Sequence, residues 1–326
     1  MKLGILGTGM IVKDLMTTYN KLNVEKTYIL GTERFKEETE ELVSKYHLDG
    51  AFYDYDELLK TDIDTVYVAL PNVLHYSFAK KALENGKHVI LEKPITSNYK
   101  EFLELQGLAE SKDLILVEAM NIHYLPAYQS LKEDVKKLGD LKIVSFNYSQ
   151  YSSRYDAFKA GNVLPAFDPE KSGGALMDIN VYNVHAVVGL FGKPLSVKYN
   201  ANIERNIDTS GMLTLDYGTF KAVCIGAKDC KAPLMSSIQG DKGTVVIYSA
   251  PNTMTAYELS ENKGATQKKE FESSEHRLYY EFAEFIDMID RRDLLKAREM
   301  LKISGIASEL MEKARLQEGI YFKDER

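Results

Sequence analysis

The sequence predicts an α/β amino-terminal domain over residues 1–120, built on a doubly wound parallel sheet, and an α+β domain over residues 121–326 with a large, mainly antiparallel open sheet. Three observations carry this expectation. The chain has 326 residues, and at roughly 100–200 residues per domain that length predicts two domains. Short apolar runs alternate with single amphipathic helices over the first 120 residues, the pattern of a parallel sheet with helical crossovers. From Leu141 the rhythm changes, and strand-like segments follow one another across short turns.

Lys2-Leu3-Gly4-Ile5-Leu6 is a short apolar run ending at a glycine-rich turn, which reads as a buried strand. Ile11, Leu15, Met16 and Tyr19 then recur at helical spacing. Tyr28-Ile29-Leu30 is the next strand, followed by a charged helix from Phe35 to Tyr46. The run from Thr65 to Leu70 is a strand stopped by Pro71. Asn72 reads as the cap of a helix striped by Phe78, Ala79, Ala82 and Leu83 and ended by Gly86. Two further strands, His88–Leu91 and Leu114–Val117, flank a helix striped by Phe102, Leu105, Leu108 and Ala109. In the second domain, strands are expected at Leu141–Tyr151, Val197–Ile203, Met212–Tyr217, Phe220–Ile225, Ser236–Gln239 and Thr244–Tyr248. Asp216–Thr219 and Asp241–Gly243 read as hairpin turns, and Gly173–Phe191 as a helical insertion. Two amphipathic helices close the chain, one carrying Leu278, Phe282, Phe285, Ile286 and Ile289, the other running from Met300 to Ala314. Whether they pack back on the first domain stays open.

Charge and composition exclude several classes. Lys+Arg number 41 against 48 Asp+Glu, a net charge of −7, so the overall field repels nucleic acid. No apolar run approaches the roughly 20 residues of a membrane-spanning helix. Gly7-Thr8-Gly9 and Lys13-Asp14 break up the amino terminus, which therefore does not read as a signal peptide. Cys224 and Cys230 make no disulfide framework and fit a reducing cytoplasm. No His/Cys pair has zinc spacing and the six histidines include no HExxH, so no metal is expected.

Gly7-Thr8-Gly9-Met10-Ile11-Val12 is a G-x-G-x-x-V turn between the first strand and the first helix. The first glycine permits a tight turn, and the second lets a pyrophosphate approach the backbone. An ordinary strand–helix turn can carry the same glycines, but the position after the first strand of an alternating half favours a dinucleotide. At the end of the second strand, Thr32 with Arg34 suits a 2′-phosphate, while Glu33 suits the free ribose hydroxyls of NAD. The balance tilts to NADP. Glu92-Lys93-Pro94 ends a strand at the expected ligand edge of the sheet, where a lysine can stabilise developing negative charge; the tripeptide alone favours a surface lysine at a strand end. In Gly173–His185, helical spacing puts Asp178 and Tyr182 on one face with His185 a turn further on, although a core tyrosine and a capping aspartate would look the same. Tyr76-x-x-x-Lys80 and Tyr155-x-x-x-Lys159 are chance matches to a Tyr/Lys pair, given 21 tyrosines.

Taken together, these segments resemble the Gfo/Idh/MocA family of NAD(P)-dependent oxidoreductases. The resemblance runs through Gly4–Gly9, Ala69-Leu70-Pro71-Asn72 with His75, Gly86–Pro94, Glu118-Ala119-Met120, Leu125–Tyr128 and Gly173–Asp178. It implies a Rossmann domain with Gly7, Thr8, Gly9, Met10 and Ile11 around the pyrophosphate. It further implies Leu70, Pro71, Asn72 and His75 beside the nicotinamide ribose, and Glu92, Lys93 and Pro94 beside the nicotinamide. Lys93 matches the family's catalytic lysine and Tyr182 its acid/base, with Asp178 as partner and His185 as the alternative proton carrier. Asn121 is a candidate contact for cofactor and substrate, and His123 for substrate. Three departures stand out: Val12 in the third glycine position, His123 where diol-dehydrogenase-like members carry arginine, and Asn180 where a glycine commonly follows the Asp-Ile pair. Asn180 is expected to add a substrate contact or local strain. The resemblance implies hydride transfer to or from a small sugar, polyol or diol and a homo-oligomer through the second sheet, while charge and hydropathy leave no nucleic-acid or membrane partner expected. The alternative is a non-catalytic NAD(P)-binding sensor of the same fold.

Overall fold

The apolar segments of the first 120 residues pair side by side in a computed structural model that describes residues 1–272, 275–323 and 325. β1 (Lys2–Leu6), β2 (Lys26–Leu30), β3 (Gly50–Phe52), β4 (Thr65–Val68), β5 (His88–Glu92) and β6 (Leu116–Ala119) form a parallel sheet in the order β3-β2-β1-β4-β5-β6. The helices between them are α1 (Met10–Met16), α2 (Lys36–Tyr46), α3 (Tyr55–Leu59), α4 (His75–Glu84) and α5 (Tyr99–Ser111). Strand order reverses between β1 and β4, and in such sheets ligands bind outside the carboxyl ends of the strands at that point. Val66 and Val68 of β4, Leu83 of α4, Leu91 of β5 and Phe102 and Leu105 of α5 share one buried core.

Within the parallel half, β3 and α3 escaped the periodicity. β3 is three half-buried residues, too short for alternation to register, and α3 is a single turn whose start is set by Asp54 accepting the Glu57 N–H at 3.1 Å. Asn72 does not cap α4. The chain first makes a 3-10 turn over Asn72–Leu74, and neither that turn nor α4 receives a side-chain cap.

The second sheet has eight strands: β7 (Leu141–Ser149), β8 (Ser196–Glu204), β9 (Ile207–Asp216), β10 (Lys221–Ala227), β11 (Ser236–Gly240), β12 (Gly243–Ile247), β13 (Ala256–Glu261) and β14 (Thr266–Glu270). Their order is β14-β13-β12-β11-β7-β10-β9-β8, antiparallel throughout except for the central β7–β10 pair. β14 reads Thr-Gln-Lys-Lys-Glu and buries no face, so no apolar pattern announces it; a charged edge strand also discourages further strand addition. Before β7 lies α6 (Pro126–Asp134), and between β7 and β8 lie α7 (Tyr155–Lys159) and α8 (Val181–Phe191). A π-turn over Leu176–Asn180 leads into α8.

The chain divides into two compact units, Met1–Ala119 with Glu275–Gly305, and Met120–Ser274 with Ile306–Arg326. α9 (Arg277–Asp290) belongs to the first, where Phe282 meets the Tyr67 ring edge-on at 5.0 Å. α10 (Leu294–Gln317) contributes residues to both. No helix among the described residues is long and apolar enough to cross a membrane.

Candidate active site

β1 delivers the chain to Gly7 at φ +106°, a left-handed conformation in which a Cβ would also stand 2.7 Å from the Ala69 carbonyl oxygen. Only glycine satisfies both conditions. Gly9 differs: a Cβ there would meet no protein atom within 4 Å, so the space over the turn is open. Thr8 and Met10 are at least partly exposed on the same turn, while Val12 is fully buried. The turn therefore fits a dinucleotide pyrophosphate, with backbone N–H groups from Gly9, Met10 and Ile11 available to its oxygens. Thr32, Glu33 and Arg34 lie exposed just beyond β2, with the Arg34 guanidinium 5.3 Å from the centre of the Phe35 ring.

Leu70, Pro71 and Asn72 follow β4 and are half-buried or exposed. His75 is not: it is fully buried, and its ring nitrogens lie 2.9 Å from the Pro94 carbonyl oxygen and 2.8 Å from that of Leu70. It ties the loop after β4 to the loop after β5, and burial holds its pKa below the usual histidine value. Glu92 is buried, accepts the Tyr67 hydroxyl at 2.5 Å and the Lys93 N–H at 3.2 Å, and has its pKa raised by burial. Lys93 is half-buried and precedes buried Pro94. Beneath them, Glu118 accepts the Ile95 N–H at 2.9 Å.

Burial pushes the Glu118 carboxyl from an ordinary 4.5 up to about 7. The folded chain thus holds a proton there that the unfolded chain releases near pH 4.5. That contribution to stability is complete below pH 4.5 and is lost as pH rises through 7. Glu118→Gln is expected to remove this dependence. Urea unfolding at pH 4.5 and pH 8 should show the wild type losing about 3 kcal/mol more than the variant across that interval. Identical losses in the two proteins would refute the assignment.

In the second unit, the stretch from Ser172 to Val188 is buried at every position except Asp178 and Tyr182. The π-turn and α8 pack on the sheet face formed by Val144 and Phe146 of β7 and Ala222, Cys224 and Gly226 of β10, and Asp178 and Tyr182 keep partial exposure near the ends of these strands. Asp208 fixes the start of the turn, accepting the Leu176 N–H at 2.6 Å and the Tyr199 hydroxyl at 2.7 Å. The Tyr182 ring lies 6.0 Å from that of Tyr148, at the carboxyl end of β7. Asp178 pairs with Lys228, which follows β10.

His185 is enclosed instead. It is buried against His123, whose Nε2 lies 3.1 Å from its Nδ1, and burial drives its pKa down to about 3 and that of His123 well below normal. Both rings are neutral in the physiological range. Asn121 is also buried, and its amide donates to the Asn252 carbonyl at 2.8 Å. Asn180 is neither a substrate contact nor strained: it is fully buried at φ −73°, with its amide 3.1 Å from the Cys224 carbonyl oxygen. Its room comes from Gly226, where a Cβ would stand 2.5 Å from the Asn180 Cβ.

A model described as an oxidoreductase family with an NAD-binding Rossmann fold matches residues 1–120, and one of the Gfo/Idh/MocA C-terminal domain matches residues 128–246. The chain belongs to the Gfo/Idh/MocA oxidoreductase family. Within the family it is 36% identical over 291 residues to a Bacillus subtilis protein named scyllo-inositol 2-dehydrogenase (NADP(+)), a match spanning 89% of this chain and 88% of that one. It is 29% identical to the trans-1,2-dihydrobenzene-1,2-diol dehydrogenase of Xenopus tropicalis, over 76% of this chain and 75% of the other. In fold it is similar to a 3-ketoreductase from Actinomadura kijaniata solved with NADP and TDP-benzene, with a TM-score of 0.84 over 97% of both chains at 19% identity. Like the family, the chain is an NAD(P)-dependent oxidoreductase with a Rossmann domain.

Family motifs alone miss Lys228, because it stands outside every segment that carries the resemblance. The signal that finds it is alternation. Ala222, Cys224 and Gly226 of β10 face the helical insertion, and two residues on, the same register ends in a lysine with 3% side-chain exposure.

Proposed function

We propose that the chain is an NADP-preferring dehydrogenase/reductase acting on a hydroxyl or carbonyl carbon of an inositol, sugar or cyclic diol. The observation that carries the reading is the open face of the π-turn and α8, where Asp178 and Tyr182 alone emerge from a buried stretch. The names of the inositol and diol dehydrogenase relatives share a ring bearing neighbouring hydroxyls as substrate class. A bound nicotinamide supplies or accepts the hydride. Tyr182 donates its phenolic proton to the substrate carbonyl oxygen as the hydride arrives, and recovers one in the reverse direction. The Lys93 ammonium stabilises the negative charge developing on that oxygen. Asp178 accepts a neighbouring substrate hydroxyl. His185 and His123 support the helix from behind as a neutral pair.

On the cofactor side, the reading gives the pyrophosphate to Gly7–Ile11, the nicotinamide ribose to Leu70–Asn72, and the nicotinamide surroundings to Glu92–Pro94 and Asn121. Thr32 and exposed Arg34 favour the 2′-phosphate of NADP over NAD. The outer face of the second sheet leaves Ile143 and Met212 half-exposed, at 51% and 50%, beside a groove lined by Lys198, Thr214, Lys221 and Val223. A second copy covering that face is part of the proposal, as is a cytoplasmic location.

The test is turnover of a panel of inososes, keto-sugars and cyclic hydroxyketones with NADPH and with NADH, and of inositols and trans-diols in reverse. Reduction of at least one polyhydroxylated ring ketone is expected, with kcat/KM higher for NADPH, from an enzyme whose light-scattering mass exceeds one chain. Absence of turnover with both nucleotides across the panel overturns the reading.

A further inference from the structure

The Lys228 ammonium has 3% side-chain exposure, and the groups around it include the Asp178 carboxylate, the Ala166 carbonyl oxygen at 2.9 Å and the face of the Phe167 ring at 4.5 Å. Burial raises the carboxyl pKa of nearby Asp208, and the field of Lys228 offsets a small part of that rise. Asp178 is different, with 38% of its side chain exposed. The pair therefore has an inner, dry cation and an outer carboxylate in contact with water. Lys228 itself has almost no surface to offer a substrate. Whatever it does for a ligand, it does through Asp178.

We propose that Lys228 is a positioning residue of the oxidoreductase reaction: it holds the Asp178 carboxylate in one orientation beside Tyr182 and balances its charge, so that this face selects a neutral, hydroxyl-bearing ring. This rests on the roles given above to Asp178 and Tyr182. Three physical arguments support it. A carboxylate on the short side chain of Asp178 has few torsions, and a strong charged hydrogen bond from a fixed donor removes most of the remaining freedom. Lys228 is itself fixed, because it follows a central strand and is held by a carbonyl oxygen and a ring as well as by Asp178. A buried ion pair is also weak evidence of a stabilising role, since an apolar residue of similar volume often serves stability as well or better. The pair is thus better placed to orient than to stabilise.

The asymmetry of burial makes the idea testable. Lys228→Met removes the buried charge and leaves Asp178 able to hydrate, so folding should survive. Asp178→Asn leaves the ammonium buried without its carboxylate, and should destabilise the protein more. With NADPH and the best ketone of the panel, Lys228→Met is expected to lower kcat about 10- to 100-fold, the size of a small misplacement in a reacting array. Thermal midpoint and NADPH affinity, the latter read by nucleotide fluorescence, should stay near wild type. Adding Asp178→Asn to Lys228→Met should cost little further activity, because the two residues act as one unit. Should the methionine variant fail to fold, Lys228→Gln, a shorter neutral donor, takes its place in the same measurements. A variant with kcat within two-fold of wild type, or losses from the two sites that simply multiply, overturns the inference while the proposed function stands. A wild type inactive on the whole panel overturns both.

Discussion

Tyr182→Phe is expected to lower kcat by about 10²- to 10⁴-fold, the range for removing a positioned general acid. The loss should be confined to kcat. The ring that packs near Tyr148 is retained, and Tyr182 is only half-buried, so the thermal midpoint should hardly move. NADPH affinity should not change either, because the fingerprint turn lies in the other compact unit. His185→Phe supplies the contrast. His185 is buried and its Nδ1 faces the His123 Nε2 at 3.1 Å, so its loss strands a buried polar atom at a cost of about 1–3 kcal/mol. That variant should melt earlier yet keep most of its kcat when assayed well below its midpoint. Stopped-flow single turnovers with bound NADPH read the chemical step directly. If the phenylalanine at position 182 left that step unchanged while the one at 185 abolished it, the acid/base role would pass to His185.

The contrast between these two residues also shows how far the sequence could be read. Helical spacing grouped Asp178, Tyr182 and His185; of these, the structure leaves Asp178 and Tyr182 partly exposed and buries His185. Spacing alone does not reveal which arc of a helix is covered, and a mean position a turn away was enough to bury His185 against His123. β1, β4, β5 and β6 were legible because they are buried on both faces and read as short apolar runs. β3 and β14 were not, the first for want of length and the second for want of any apolar residue. His75 shows another limit. Its place in a family motif marked it as a ligand contact, whereas the structure buries it as a brace between two loops. A motif identifies a neighbourhood; only packing separates the residues that reach the ligand from those that hold them.

Asn180 and Gly226 carry that distinction into a second large effect. The π-turn that presents Asp178 rests on β10, with Asn180 packed on Gly226. A Cβ at 226 would stand 2.5 Å from the Asn180 Cβ and 2.8 Å from its Cγ, distances at which something must shift. Asn180 cannot yield by rotating, because its Cβ is fixed to the backbone and its amide is held 3.1 Å from the Cys224 carbonyl oxygen. Gly226→Ala is therefore expected to lift the π-turn from the strand. The cost in stability is about 1–3 kcal/mol, typical of overpacking, and kcat should fall at least ten-fold as Asp178 leaves its place beside Tyr182. Asn180→Gly alone costs about 1 kcal/mol through helix propensity, and more through its lost hydrogen bonds. Combined, the two substitutions exchange which partner lacks a side chain: the approaches at 2.5 and 2.8 Å disappear, and the residue 180 Cα at 3.2 Å is left as a tight contact. The double variant should be more stable than the sum of the single losses predicts, by about 1–3 kcal/mol, and should regain activity over Gly226→Ala. Urea unfolding of the four proteins closes the cycle, and strictly additive losses would mean that Asn180 and Gly226 do not set the height of the turn.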